Sequence, residues 1–304
     1  MNAQAAESGA PSGAAARRWR FTRAAAPYLL SLPAWAYLLL FFVVPLGAML
    51  MLSAASGDPI SGYTYSGHYI EFWHALHRYH RQFVRAFEYG GLSTAITFAV
   101  AYPAAYWIAF HGGRHKAGYL FLLLLPFFVT FVIRTLAWQF ILSDQGIVLG
   151  TLKHWGLLPQ SAHVLSTAPA VIGGLVYNRL PYYVMPLFVA LEKIDRRLLR
   201  AAEDLYASPL QGFLRVVLPL SMPGIFAGFL LVFITNTGDY VNAEILGGPG
   251  TLMVGNIINN NFFVDQDYPM AAALSTLLLL AMLLIIALYA RAFGTESIQD
   301  YAAS

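Results

Sequence analysis

The sequence predicts an all-α integral membrane protein with six transmembrane helices. Of its 304 residues, 58% are hydrophobic and only 11% are charged, so the chain could not cover a soluble globule of this size with polar side chains. Its apolar segments are long enough to cross about 30 Å of hydrocarbon at about 1.5 Å per residue. The predicted spans are residues 28–54, 89–110, 119–142, 168–191, 221–242 and 269–290.

The first span follows four arginines and could be mistaken for the hydrophobic part of a secretion signal. Its apolar run is longer than the roughly 7 to 15 residues of such a signal, and it contains Pro33 and Pro45. A retained helix is therefore favoured. Residues 1–26 begin with a stretch rich in Ala, Ser and Gly, and we expect them to form a disordered cytoplasmic tail before a membrane domain of residues 27–292.

The distribution of basic residues predicts which side of the membrane each loop faces. With the N-terminus in the cytoplasm, twelve of the eighteen lysines and arginines fall in cytoplasmic segments, four in outer loops and two within spans. This excess follows the positive-inside rule, and the opposite orientation would reverse it. Both termini, including a tail of residues 293–304, are therefore predicted to be cytoplasmic.

The outer loop before the second span is predicted to contain an amphipathic helix. Trp73, Leu76, Tyr79 and Phe83 recur at helical spacing, which is typical of a helix lying at the outer membrane interface. Five possible metal ligands in this loop follow one another in steps of three. Such steps drift by about 60° around a helix, so at most two or three could converge, and a solvated face is favoured over a metal site. These residues are His68, Glu71, His74, His77 and His80.

The remaining outer segments are predicted to contain short elements. Residues 144–167 include a possible short helix on the outer surface. Residues 247–250 form a Gly-Gly-Pro-Gly cluster through which no helix could continue. The chain is therefore expected to fold back over the outer face before the sixth span.

The sequence lacks the motifs of the common nucleotide-dependent and hydrolytic enzymes. None of its three lysines follows a glycine, which excludes a Walker A phosphate loop, and neither H-E-x-x-H nor G-x-S-x-G occurs. The absence of cysteine excludes disulfides and thiolate metal sites. We therefore predict a protein that is not an enzyme and holds no metal or cofactor of its own.

Two arginines fall within predicted spans, where charges usually face the bundle interior and mark either a pathway or a structural pair. For Arg134 we favour a pair with Asp144 or another outer carboxylate, or a side chain that reaches the outer interface, over substrate contact. Arg179 lies nearer the middle of its span, beside Asn178, and both interpretations remain open for it.

The carboxylates indicate an outward surface that attracts cations. Eight of the fifteen belong to the outer face or the outer ends of spans, against four basic residues in the outer loops. Asp239 is the most informative, because the adjacent Gly238 can interrupt the fifth span and expose backbone groups to a cavity; an ordinary solvated span end is the alternative. The candidate residues of a substrate path are Arg134, Trp138, Asn178, Arg179, Asp239, Tyr240 and Glu244.

Residues 196–225, which we call the elbow, are the one long polar and helix-prone segment between apolar spans. Leu198, Leu199, Ala202 and Leu205 would share one side of a short amphipathic helix. Ser208 followed by proline is expected to cap and start a second helix. A helix, a sharp turn and a second helix on the cytoplasmic side offer a rigid surface to a partner.

A particular pattern of residues runs through the elbow. It consists of Ala201-Ala202, Leu205, Ala207-Ser208-Pro209, Phe213, Val216, Leu218-Pro219 and Pro223-Gly224. This pattern resembles the EAA coupling loop of permease subunits in ATP-binding-cassette importers. The flanking stretches VYNRLPYYVMPLFVALEKID and GDYVNAEILGGPGTLMVGNIINNNF resemble the spermidine/putrescine type, and the likeness extends over about residues 72–291.

The resemblance implies a type I importer permease (MetI-like) fold with a cytoplasmic coupling helix. It also implies that ATP is bound by a separate ATPase, onto which the coupling helix docks. The ATPase-coupling residues that it implies are Arg200, Ala201, Ala202, Glu203, Asp204, Leu205, Ala207, Ser208, Pro209, Leu218 and Pro219.

Two positions depart from the family pattern. Arg200 stands where the family has a glutamate, and Tyr206 stands where it has a glycine. Because tyrosine disfavours the positive φ that glycine permits, we expect a less sharp turn in the elbow.

The resemblance further implies a set of partners in a bacterial inner membrane. They are a second permease subunit in a heterodimer, two copies of a cytoplasmic ATPase and a periplasmic or surface solute-binding protein, within membrane lipid and without nucleic acid. The implied solute is small and cationic or zwitterionic, most simply a polyamine, with amino-phosphonates, opines and ferric iron as alternatives. A self-sufficient channel or ion-coupled transporter would need charged relays along several spans, and a pore-free assembly protein is a third possibility.

Overall fold

The computed structural model describes residues 31–58, 62–65 and 70–293, which are mostly helical. The predicted N-terminal tail, residues 294–304 of the predicted C-terminal tail, and His68 lie outside these ranges. The helices are α1 (Ser31–Leu52), α2 (Ile70–His111), α3 (Lys116–Leu124), α4 (Phe131–Leu142), α5 (Ile147–His154), α6 (Ala168–Glu192), α7 (Arg196–Asp204), α8 (Pro209–Thr237), α9 (Val241–Leu246), α10 (Val254–Phe263) and α11 (Tyr268–Phe293). The strands β1 (Ala55–Asp58) and β2 (Gly62–Tyr65) form an antiparallel pair.

Four of the helices in the described ranges are long and apolar enough to cross a membrane, and a fifth span results if a bent pair is counted as one. The four are α1, α2, α8 and α11, and the bent pair is formed by the segments on either side of residues 129–130. α6 has 25 residues and is therefore long enough to cross a membrane, but its hydropathy is too low for it to be counted with these helices. Much of α6 is buried against α2 and α8, so its side chains face protein more than lipid and need less hydropathy.

α1 forms a compact unit of its own in the contact pattern of the chain. Residues Leu39–Val43 form a π-helical turn in its middle. Pro45 follows within the helix and cannot donate a backbone hydrogen bond to the preceding turn, and wide turns of this kind are typical of such places.

The second predicted span and the predicted interfacial helix before it are joined within α2, with a kink at Tyr79. α2 has 42 residues and would be about 63 Å long if it were straight. Its one non-helical residue is Tyr79, with φ −115° and ψ 15°, so two helical segments meet there at a kink. The helical spacing was therefore predicted correctly, whereas the predicted boundary at residue 89 does not occur.

The third predicted span, residues 119–142, is not a continuous helix. α3 gives way to a 3-10 turn, Leu125–Phe128, and Val129 and Thr130 have extended ψ angles before α4 begins. Pro126 lacks a backbone donor for an α-helical turn, which favours the tighter turn and the break. The two halves are bent by 83°.

The fifth predicted span, residues 221–242, also has different boundaries. α8 begins at Pro209 within the elbow and passes through a π-helical turn, Phe213–Val217, before it continues to Thr237. Gly238 ends the helix, as its position suggested, and residues 241–246 form the separate helix α9. Asp239 therefore lies in a break between two helices.

Two clusters of buried apolar side chains hold residues 53–293 together. The first joins α2, α6, α9, α10 and the start of α11, around Leu175, Leu246 and Met253. The second joins the later halves of α2 and α6 to α8, around Tyr183, Leu187 and Val217. Small residues permit this contact, since a Cβ atom on Gly224 of α8 would lie 2.5 Å from Ala190 Cβ of α6. The elbow begins at the second cluster, and the break at Asp239 lies between the two clusters along the chain.

Candidate functional site

The first arm of the elbow is α7, which is fixed at its N-terminal end by two hydrogen bonds. Asp195 caps it by accepting a bond from the Arg197 backbone N–H at 2.9 Å. The Arg196 side chain donates from Nη2 to the Ala109 carbonyl of α2 at 3.0 Å. Leu199 packs on the second core cluster. The elbow is therefore bonded to the C-terminal end of α2, the end that is predicted to be cytoplasmic.

The turn of the elbow is as sharp as a glycine would make it. Tyr206 has a φ of 60°, in the left-handed region, and its side chain is 97% exposed. The Tyr206 N–H donates to the Glu203 carbonyl at 2.9 Å and the Ala207 N–H to the Ala202 carbonyl at 3.0 Å. The expectation of a blunter turn was wrong, because these bonds hold the tyrosine in a conformation that costs about 1 kcal/mol relative to glycine.

The second arm of the elbow begins with the predicted cap. Ser208 Oγ accepts from the Gln211 N–H at 3.3 Å, and Gln211 Oε1 accepts from the Ser208 N–H at 2.9 Å, which completes a capping box. Pro209 occupies the first turn, where its missing N–H is not needed. The start of the second helix is therefore confirmed.

Apolar side chains at the tip of the elbow are directed to solvent. Leu205 is 81% exposed, and Leu198, Tyr206 and Leu210 are also exposed. Only Leu199 and Ala202 of the predicted apolar side are partly covered. Among the other predicted coupling residues, Ala207 and Leu218 are half-buried, and Arg200, Ala201, Glu203, Asp204, Ser208, Pro209 and Pro219 are exposed. Exposed leucines beside charged residues on a capped helix are suited to contact with another protein.

The second candidate region is a buried ion pair at the break after α8. Arg179 of α6 donates from Nη2 to Asp239 Oδ2 at 3.1 Å. Asp239 Oδ1 accepts from the Asn242 N–H at 2.8 Å, and its Oδ2 also accepts from Asn242 Nδ2 at 3.1 Å. Asp239 is only 6% exposed. Both of its oxygens are therefore satisfied within the protein.

Three buried polar side chains extend this ion pair into a network across three helices. Asn178 Nδ2 donates to Thr135 Oγ1 at 3.1 Å and to Asn242 Oδ1 at 3.0 Å. Thr135, Asn178 and Asn242 are each fully buried. Asn178 was predicted from the sequence, whereas Thr135 and Asn242 were not. Asn242 follows Asp239 by three residues, as in an aspartate that caps a helix, and this spacing could have identified it.

Arg134 does not form the predicted pair with Asp144. Its guanidinium carbon lies 4.1 Å from the ring centroid of Phe127 and 5.9 Å from that of Tyr177. Its Nε and Nη1 atoms are buried and have no hydrogen-bond partner among the described residues. Trp138 packs edge-on against Tyr177, with ring centroids 5.4 Å apart. Aromatic faces, rather than a carboxylate, surround this arginine.

Asp144 instead contacts two residues further along the segment that follows α4. Its Oδ1 accepts from Lys153 Nζ at 2.9 Å, and its Oδ2 lies 2.6 Å from His163 Nδ1. The hydrogen bond from Lys153 lowers the pKa of the Asp144 carboxyl against the opposing effect of desolvation, and His163 lowers the pKa further. We call these three residues the outer clasp.

The outer clasp is expected to weaken in acid. Because the pKa of Asp144 is lowered in the folded state, its stabilising contribution is fully present above the ordinary aspartate pKa of about 4 and is lost as the pH falls further. Hydrogen exchange of residues 144–163, corrected for intrinsic rates, should therefore accelerate below about pH 4. In Asp144→Asn it should already be fast at pH 7, and equal protection of the two proteins at that pH would contradict the prediction.

The last predicted residues of the path, Tyr240 and Glu244, lie on one face of the chain at α9. The Glu244 N–H donates to the Tyr240 carbonyl at 2.9 Å, and Glu244 Oε2 accepts from Asn256 Nδ2 at 2.8 Å. The side chains of Tyr240 and Glu244 are both exposed. Asn256 was not among the residues predicted from the sequence.

The histidines before the second span show no metal geometry. Within residues 31–58, 62–65 and 70–293, no three His, Asp or Glu side chains are grouped so that they could hold a metal ion. His74, His77 and His80 are exposed on α2, and the His77 ring stacks on Trp73 at 6.3 Å between centroids.

Long apolar helices, one of which ends at a buried ion pair, define the class of multi-pass membrane proteins. Residues 102–293 match the family model of the binding-protein-dependent transport system inner membrane component. The chain belongs to this family, and it is a multi-pass protein of the inner membrane.

One similar protein is the spermidine/putrescine transport system permease protein PotB of Haemophilus influenzae. It is 35% identical over 259 residues, which cover 85% of this chain and 91% of that protein. Among solved structures, a bacterial ABC transporter involved in the import of the acidic polysaccharide alginate has a TM-score of 0.71 at 17% identity, covering 92% of this chain and 99% of that one. A bacterial alginate ABC transporter in complex with an alginate pentasaccharide-bound periplasmic protein gives 0.67 at 18% identity, with coverage of 90% and 96%. The structures show a shared permease fold.

Proposed function

We propose that this chain is a permease subunit of an ATP-driven polyamine importer and forms half of the path for spermidine- or putrescine-like cations. The observation that carries the proposal is the 35% identity to a spermidine/putrescine permease over 91% of that protein's length. The positive charge of Arg179 does not argue against a cationic substrate. Arg179, which would repel a cation, is neutralised by Asp239 at 3.1 Å.

We further propose that the membrane domain has six spans and that both termini are cytoplasmic. The span that completes the six is α6, the fourth in chain order, whose 25 residues correspond to about 37 Å. Its buried faces against α2 and α8 support a place inside the bundle, where a polar helix is tolerated. The excess of basic residues in the inner loops supports the orientation.

The elbow is proposed to be the coupling helix that docks on one of two cytoplasmic ATPase subunits, which bind the ATP. Its exposed leucines, its capped ends and its bond to α2 support this role. Movement of the ATPases would move the elbow and the bundle as rigid bodies, so that access alternates between the two sides. A second permease subunit would complete the translocation path.

A periplasmic binding protein is proposed to deliver the solute to the outward face. A solved transporter of the same fold was captured with its periplasmic protein. In this chain the residues of α2 that precede the predicted span, 70–88, would extend it by about 28 Å. This extension exposes Trp73, Arg78 and Arg81 and could contact a protein outside the membrane.

The proposed function is tested by uptake into vesicles that contain the purified complex. Labelled spermidine and putrescine should accumulate only when two conditions are met. ATP must be present on the side of the vesicle membrane that the ATPase faces, and the binding protein must be present on the opposite side. ATP-dependent uptake of an amino-phosphonate, an opine or ferric iron without polyamine uptake would replace the solute. Uptake without the ATPase would indicate a self-sufficient transporter, and no uptake of any of these solutes would favour an assembly protein.

A further inference from the structure

Two carboxylates near the end of α8 differ in the number of hydrogen bonds that their oxygens accept. Asp239 is 6% exposed, and its oxygens accept three hydrogen bonds, from Arg179 and from the side chain and backbone of Asn242. A carboxylate that is buried, paired with a cation and fully hydrogen-bonded has no accessible oxygen with which to bind a solute. Asp239 is therefore part of the framework in this conformation.

Glu244 is placed differently. Its side chain is exposed, its Oε2 accepts from Asn256 Nδ2 at 2.8 Å, and its Oε1 has no hydrogen-bond partner in the described ranges. One turn earlier on the same helix face, the ring of Tyr240 is 44% exposed. A free carboxylate oxygen beside an accessible aromatic ring is a suitable arrangement for an ammonium group, which both can attract.

Asn256 holds this arrangement in place. It is 1% exposed, and its Oδ1 accepts from the Met253 N–H at 3.1 Å. Its Nδ2 donates to the Tyr240 carbonyl at 2.9 Å as well as to Glu244. Gly255 lets α10 come this close, because a Cβ atom there would lie 3.1 Å from the carbonyl oxygens of Gly238 and Asp239. One buried amide thus joins the start of α10, the break and Glu244.

We propose that Glu244 and Tyr240 bind an ammonium group of the incoming solute, and that Asn256 is the positioning residue that orients the Glu244 carboxylate. The site lies at the start of α9, directly after the break between α8 and α9, where exposed backbone and side chains can line a cavity. It would take primary or secondary amines in their protonated form. This inference rests on the proposed function, since it assigns residues to the recognition of a polyamine.

The test uses vesicles with the complete complex and a saturating amount of spermidine-loaded binding protein, with uptake and ATP hydrolysis measured together. Glu244→Gln keeps the shape of an exposed side chain but removes its charge. Uptake should fall about tenfold or more, the loss expected for a hydrogen bond to a charged group, while stimulated ATP hydrolysis stays within about twofold. Tyr240→Leu should also lower uptake, and Tyr240→Phe, which keeps the ring, should lower it less than Tyr240→Leu does.

The role of Asn256 is tested by a double variant. If Asn256 acts through Glu244, Asn256→Ala should lower uptake, and Asn256→Ala combined with Glu244→Gln should be no worse than Glu244→Gln alone. Effects that multiply would assign Asn256 to the fold instead. Unchanged uptake in Glu244→Gln would overturn the ammonium site, whereas failure of the wild-type complex to carry any polyamine would overturn the proposed function itself.

Discussion

Leu205→Asp is expected to abolish ATP-driven uptake while the protein remains folded in the membrane. Leu205 lies at the tip of the elbow and is 81% exposed, so an aspartate there needs no space in either core cluster. If this leucine enters a cleft on the ATPase, the variant must bury an unpaired carboxylate in the complex, which costs several kcal/mol and lowers affinity by at least a hundredfold. Copurification of the ATPase with the detergent-solubilised permease measures this loss.

A matched control separates docking from a general effect of a new charge. Leu157 follows α5 on the predicted outer side and is also largely exposed. Leu157→Asp should therefore retain the ATPase, and both variants should melt within a few degrees of the wild type. Normal ATPase copurification and normal uptake in Leu205→Asp would rule out the elbow as the coupling surface.

The second large effect is expected at the buried ion pair. Arg179→Met should leave the Asp239 carboxylate buried without its cation and lower the free energy of unfolding by about 3 to 5 kcal/mol. Asp239→Asn should destabilise the protein for the corresponding reason, because it leaves the guanidinium unpaired. The double variant removes both charges and should recover most of the loss. Thermal unfolding of the purified protein in detergent gives the comparison.

A second ion pair on the surface provides the reference for this experiment. Lys116 Nζ lies 2.6 Å from Glu192 Oε2, but both side chains are partly solvated. Lys116→Met should cost no more than about 1 kcal/mol, although its distance is shorter. If Arg179→Met were as mild as Lys116→Met, or if the two changes at the buried pair simply added, that pair would not be a stabilising unit.

The features that the sequence predicts well are those set by neighbouring residues. The cap at Ser208 depends on a serine, a proline and a glutamine within four positions, and it was found as expected. Gly238 ends α8 for an equally local reason. The helical spacing of Trp73 to Phe83 also identified a real helix. Local geometry and the apolar period were enough for these elements.

The features that the sequence did not predict depend on contacts between distant segments. Arg134 was expected to pair with a carboxylate, but its guanidinium lies against the rings of Phe127 and Tyr177. Asp144 forms its ion pair with Lys153 instead. Tyr206 was expected to avoid a positive φ, and hydrogen bonds around the turn impose one. Arg179, the cationic partner of Asp239, comes from another helix, so no local pattern could reveal that Glu244 keeps an oxygen without a partner among the described residues while Asp239 does not.

The long course of α2 on either side of its kink at Tyr79 has a mechanical consequence. Arg196 at the base of the elbow is bonded to Ala109 near one end of α2, and the exposed Trp73 lies near the other end. The helical segment between Tyr79 and Ala109 resists compression along its axis, so it can act as a strut between the elbow and the kink. Tyr79 lies about 45 Å from Ala109 by helical rise, and Pro103 between them lacks a backbone donor, so a displacement at the elbow would be taken up at these two positions.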